Sequence, residues 1–304
     1  MKIRILCFLG IIGLLASGCQ RIPEAIGSDT GVTVVCDSTI YAAIGPALES
    51  ALQKEIYTPQ PEYLLEIHYL PPEELNKVVV RRNIILAGLL GAEDKISKQV
   101  RGMLPAGAID QVEQQKSFVF RKENPWARKQ LLLVLVSTDT SALKDQIAAN
   151  NDYLFDVMRS HIIEQTKQEM YSQYEQHDVS DDLLAKYHWR VRVQHDYLLW
   201  KEESDENFVT LRRTSPERWL FVYWQESANP DSINSDWALA KRNEIGRRFY
   251  EFDKVSERYL NTRETEFAGR RAVELRGLWE NDKKVAAARL RLLRFMMKIQ
   301  SVRI

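Results

Sequence analysis

Three cysteines in 304 residues leave almost no room for disulfide chemistry. Cys7 and Cys19 lie in the first nineteen residues, so Cys36 is the one thiol of the body, and no internal disulfide can form once a leader is removed. An excess of one charge is also lacking, with 42 Lys and Arg against 42 Asp and Glu. Nothing in the overall charge points to nucleic acid, and no nucleic-acid partner is expected. No HExxH, CxxC, Walker loop, GxGxxG or GxSxG occurs, so neither a metal nor a cofactor is expected from motifs. There is no repeat of fixed period and no low-complexity stretch. What is present, 45% apolar and 28% charged residues, is the composition of a folded globular protein.

Residues 1–19 read as an export leader. Lys2 and Arg4 give a charged start, residues 5–16 an apolar core, and Ala16-Ser17-Gly18 a small-residue run before Cys19. A membrane-crossing helix needs about 20 apolar residues, so this core is too short to remain as an anchor. Leu15-Ala16-Ser17-Gly18-Cys19 resembles a bacterial lipobox, which implies cleavage before Cys19 and lipidation of its thiol. Two or more acyl chains give stable anchoring. The expected partner is thus a membrane, reached through lipidated Cys19, in a bacterial cell envelope. No acidic residue follows directly to signal inner-membrane retention, which points to the outer membrane, facing the periplasm.

The rest divides by composition. Residues 20–31 suit a tether, 32–180 an N-terminal α/β half, 181–285 a strand-rich half, and 286–304 a basic tail. Strands are expected at 32–36, 64–70, 83–88, 117–121 and 131–137, the last apolar at nearly every position as in a central strand covered on both faces. Helices are expected from about Pro46 to 54, over 93–104, and from 141 to about 177 with a break at Asn150-Asn151. The long helix carries an apolar stripe of Leu154, Met158, Ile162, Met170 and Tyr174. Beyond it, 190–201, 208–213 and 218–225 read as an antiparallel meander. A helix over 235–252 should turn Trp237, Ala240, Ile245 and Phe249 inward and Lys241, Arg242, Arg247 and Arg248 outward. A hairpin around Gly269 closes this half. The fold class is α+β, or mixed α/β, centred on sheets with flanking helices.

Several stretches resemble a family of bacterial envelope lipoproteins, chiefly of the Bacteroidetes lineage, known as domain of unknown function 4837. They are Pro59-Gln60-x-Glu62, Arg82-Asn83-Ile84-Ile85, Asn124-Pro125-Trp126-Ala127, Leu211-Arg212-Arg213, Lys241-Arg242-Asn243 and Glu274-Leu275-Arg276-Gly277-Leu278-Trp279-Glu280. Together they span most of 32–284. The resemblance implies an anchored envelope protein and supplies no catalytic residues.

The likeness stops after Val285, where the family continues with Gly-Gly-Pro-Phe and a strand. Reading the codons of Ala286-Ala287-Ala288-Arg289-Leu290 one nucleotide earlier permits Gly-Gly-Gly-Pro-Phe, so a frameshift is one account of residues 286–304. Composition agrees, because the tail holds five basic and no acidic residues while 20–285 hold 35 basic against 42 acidic. On that account the end should pack poorly. A basic amphipathic helix, with Leu290, Leu293 and Met297 at helical spacing, is the competing reading.

Candidate chemistry is sparse. The histidines are His68, His161, His177, His188 and His195, and His188 and His195 read as opposite faces of one strand, unable to share a metal. Asp37 with Glu62 is a conceivable glycosidase pair. A cluster of Arg276, Trp279 and Glu280 is the speculative ligand site, since an arginine beside an aromatic can hold an anion or a sugar. The expected function is a lipid-anchored envelope protein that binds, scaffolds or assembles with an envelope protein or glycan partner without catalysis. The alternative is an envelope hydrolase acting on glycan or peptide.

Overall fold

A computed structural model describes residues 22–56, 62–225, 234–281 and 286–295. Cys19 and the Pro59-Gln60 part of the family-like stretch lie outside them. In the first half, five strands form one sheet in the order β4-β1-β5-β7-β6. These are β1 (Gly31–Val35), β4 (Glu66–Leu70), β5 (Asn83–Leu89), β6 (Val119–Glu123) and β7 (Leu131–Ser137). All neighbours are parallel except β6, which runs against β7. A two-residue ladder of β2 (Glu55–Ile56) and β3 (Glu62–Tyr63) stands apart.

Alternation along these strands feeds two cores. Val32, Val34, Ile85, Leu131, Leu133 and Leu135 meet α1 (Ser38–Leu52), α5 (Thr140–Ala149) and α6 (Asn151–Tyr171) on one face. Val35, Ile84, Leu86, Leu132, Val134 and Val136 meet α2 (Leu75–Val78), α3 (Lys95–Met103) and α4 (Ala108–Glu113) on the other. Residues of β7 are buried at every position, which is why that strand reads as a continuous apolar run.

Several expectations are corrected. Helix α1 begins at Ser38, eight residues before Pro46, which sits exposed in its interior. An internal proline costs about 3 kcal/mol; the Asp37 cap and the buried stripe of Ile40, Ile44 and Leu48 offset it. Residues 22–30 are not a free tether. Ala25 is buried, and backbone bonds run from Ala25 to Arg128, from Ile26 to Val80, and from Arg128 back to Pro23. Tyr174, placed on the buried stripe, lies beyond α6 and is 81% exposed.

The second half opens with α7 (His177–Tyr187), in a stretch where no element was expected. The segment that follows it alternates like a strand, and Trp189 and Val193 are buried. Its carbonyls are nonetheless taken by side chains, Gln176 donating to Gln194 and Tyr197 and Ser180 to Val191, so no ladder forms there. The meander is β8 (Leu198–Glu203), β9 (Phe208–Thr214) and β10 (Glu217–Tyr223), with β9 central. Helix α8 (Ser235–Phe249) turns Ala238, Arg242, Ile245 and Gly246 inward, so its buried face is rotated from the expected one and Ala240 is exposed.

The last sheet is built on β13 (Arg270–Asn281). Strands β11 (Lys254–Val255) and β12 (Asn261–Phe267) pair with successive parts of it, and β14 (Ala286–Phe295) pairs antiparallel over ten positions. The helical reading of the tail is therefore overturned for 286–295: Arg289-Leu290-Arg291-Leu292 alternates with period two. Residues 296–304 lie outside the described residues.

Candidate functional site

The three residues singled out on β13 do not converge. Successive side chains of a strand point to opposite faces, so Arg276 and Glu280 share one face and Trp279 takes the other. Trp279 is half-buried opposite Val255. Glu280 and Arg276 are four positions apart, about 13 Å, and Glu280 instead meets Lys254 of β11 at 3.7 Å.

Around Arg276 the sheet assembles a different group. Glu274 lies two residues back on the same face. Arg263 of β12 is its register partner, and Arg291 of β14 is the partner of Arg276. Cross-strand neighbours stand about 5 Å apart at Cβ, so all three guanidiniums can reach one carboxylate. Arg263 Nε donates to Glu274 Oε2 at 2.5 Å, Arg291 Nε to Oε1 at 2.5 Å, and Arg276 Nη2 lies 3.1 Å from Oε1. Beneath them the Glu274 side chain has no exposed surface. Burial alone would push its carboxyl up, but the hydrogen bonds from Arg291, Arg263 and Arg276 outweigh it and hold the group down at about 2. Glu274 is therefore a permanent anion that orders three cations.

A hairpin turning at Ala268-Gly269 makes Phe267 the partner of Arg270, which puts Arg263 opposite Glu274. That pairing was available from the hairpin expectation. Arg291 was not, because its segment was read as aberrant or helical.

Other candidate groups are committed elsewhere. Asp37 accepts from the Thr39 amide and hydroxyl as the cap of α1, and these bonds lower its pKa. Glu62 is exposed on β3. Asp94 and Asp139 likewise cap α3 and α5. These three caps are spent at helix starts that follow β1, β5 and β7, the strand ends where ligands of open parallel sheets commonly sit. Cys36 is fully buried, and burial, aided by Asp37 and Asp94, pushes its thiol up to about 12. His161 is buried and its pKa is lowered by that burial. His188 is the left-handed cap of α7 and His195 lies before β8, so neither sits on the strand expected for them. Among the described residues no three His, Cys, Asp or Glu side chains are grouped to hold a metal ion, and no helix is long and apolar enough to cross a membrane.

Two further arginines are distinctive. Arg242, expected outward, is 4% exposed, with Nε and Nη1 lacking a hydrogen-bond partner among the described residues. Burial lowers its pKa, and nearby Asp253 and Tyr250 oppose that. Arg212 lies over both Trp200 and Trp219, at 4.5 and 4.6 Å, and binds Glu217 through two nitrogens.

Comparison with known families divides the chain as the fold does. Residues 25–171 match the family described as Domain of unknown function (DUF8532), and residues 176–288 match Domain of unknown function (DUF4837). The resemblance to the second family, read from the sequence across 32–284, thus holds for the second half, while the first half matches a different one. No curated protein and no solved structure matches the chain.

Proposed function

We propose that this protein is a lipid-anchored component of a bacterial cell envelope, held through Cys19 at the outer membrane facing the periplasm, that binds a partner without transforming it. The leader and lipobox-like run support the anchor. The binding role rests on one observation, the arginine cluster ordered by Glu274. A carboxyl held at about 2 is too weak a base to take a proton at neutral pH. The guanidiniums are donors that stay charged, suited to holding an envelope protein or glycan that carries negative charge.

The anchor is tested by replacing Cys19 with Ala and fractionating cells. The protein is expected to leave the membrane fraction, and its retention there would remove the lipoprotein reading. An envelope hydrolase is the alternative, and turnover of a glycan or peptide, lost on replacing a carboxylate, would establish it instead. A frame change after Val285 is the rival account of residues 286–304, under which Arg291 would not belong to the cluster: the end of the family match at residue 288 favours it, and the β14 ladder over ten positions counts against it. Resequencing the codons for residues 278–304 decides it.

A further inference from the structure

We infer that Arg263, Arg276 and Arg291 form a receptor for a doubly charged phosphate group, with Glu274 as the positioning residue beneath it. The inference deepens the binding role proposed above and rests on it, but is independent of the lipid anchor.

Donors exceed acceptors at this place. Three arginines carry about fifteen N–H donors, and one carboxylate offers about four lone-pair sites. The structure uses one nitrogen of each arginine on Glu274. The remaining guanidinium edges are open to solvent, with the side chains of Arg263, Arg276 and Arg291 54%, 44% and 63% exposed. Charge is similarly unbalanced among the described residues, since three cations meet one anion and the cluster keeps an excess of two positive charges. The other described acid on this face of β13, Glu280, already faces Lys254 and stands about 13 Å from Arg276.

The ordering matters as much as the charge. Arginine side chains are flexible, and a loose cluster would lose conformational freedom on binding. Here a buried carboxylate on a central strand ties guanidiniums from three strands to one point. An incoming phosphate meets donors already fixed from below, and the planar guanidinium fork matches paired phosphate oxygens. A single carboxylate ligand would neutralise half of the excess; a phosphate monoester dianion neutralises it all. That group could be the headgroup of a lipid or a soluble phosphate.

The test uses the full chain in nonionic detergent micelles, titrated calorimetrically with inorganic phosphate and separately with phosphatidic acid dispersed in the micelles. Saturable binding of at least one is expected, with phosphatidic acid tighter if the source is a lipid headgroup and inorganic phosphate equal or tighter if it is soluble. Arg276→Lys keeps the charge and loses the fork, and a loss of fivefold or more is expected. Arg263→Ala should weaken binding at least tenfold. Glu274→Gln separates order from charge: a preordered receptor binds more weakly without its tie, whereas simple attraction to positive charge predicts tighter binding. Absence of binding to both probes at 10 mM, unchanged affinity in Arg276→Lys, or tighter binding in Glu274→Gln would overturn the inference. Circular dichroism checks that each variant is folded, and Arg276→Lys serves where Glu274→Gln fails to fold. Failure of both probes removes the phosphate receptor alone, while the wider binding role falls only to demonstrated turnover.

Discussion

The two halves of this protein bury different things. In the first, β5 and β7 run through the middle of the sheet with almost wholly apolar, buried side chains, and polar residues are pushed to the strand ends. There Arg82 reaches Asp29 at 3.1 Å and Glu169 at 3.0 Å, and Lys129 adds Glu24 and Glu169. Burial raises the Glu169 carboxyl, Lys129 and Arg82 lower it, and the net direction is down. Both halves bury polar groups, Asn83, Ser97, Gln130 and Ser137 in the first and Thr210 and Asn281 in the second, but among the described residues Asp, Glu, Lys or Arg is buried only in the second, as Glu274, Arg242 and Asp253. The first half holds its fold chiefly by apolar area, and the second depends also on how its buried charges are partnered. That contrast places the candidate site where geometry is fixed by charge.

Truncating a core residue should damage the first half most. Leu133→Ala removes a fully buried side chain from the central strand and should cost about 3 kcal/mol in chemical denaturation. A similar loss from Leu198→Ala, at a residue 58% exposed, would break the contrast.

Acid should weaken the second half through Glu274. Glu274 is held at about 2 against an ordinary 4.5, so its contribution is complete above pH 4.5 and disappears as the pH falls towards 2. With its arginine partners half exposed and screened, that contribution is about 2 kcal/mol. Glu274→Gln should lower stability at pH 7 by this amount and flatten the acid limb between pH 4.5 and 2. An unchanged limb would mean that other groups carry it.

Two arginines, Arg82 partly buried and Arg242 fully so, sharpen the comparison further. Arg82→Met takes the arginine from half-exposed Asp29 and one of the two cations from Glu169, which keeps Lys129, and should cost roughly 1–2 kcal/mol. Arg242→Met removes a guanidinium whose Nε and Nη1 have no partner among the described residues, and should cost under about 1 kcal/mol or stabilise. Equal losses at the two sites would indicate that Arg242 is paired in solution. The smallest effect is kinetic: Cys36, buried and held at about 12, should react with a thiol reagent only as the first half unfolds.

Sequence pattern revealed the apolar half well. Residues 83–88 and 131–137 read as covered strands because no polar position interrupts them, and the meander and the Gly269 hairpin followed from turn residues between alternating runs. It failed where side chains replaced backbone partners, as in the segment held by Gln176 and Ser180. It also failed where charge was buried, since Arg242 and Glu274 look like surface residues to any hydrophobic periodicity. Pro46 misled by marking a helix start where the Asp37 cap had already begun one. Of the candidate site, Arg276 was recognised, Arg263 was recoverable from the hairpin register, and Arg291 required the pairing of β14.

The most direct measurement is mass spectrometry of the mature amino-terminal peptide from membrane-extracted protein. The account predicts a peptide that begins at Cys19 and carries a diacylglycerol thioether and an acyl group on its amine. A peptide with unmodified Cys19, or one that begins elsewhere, would contradict the lipid-anchored envelope assignment.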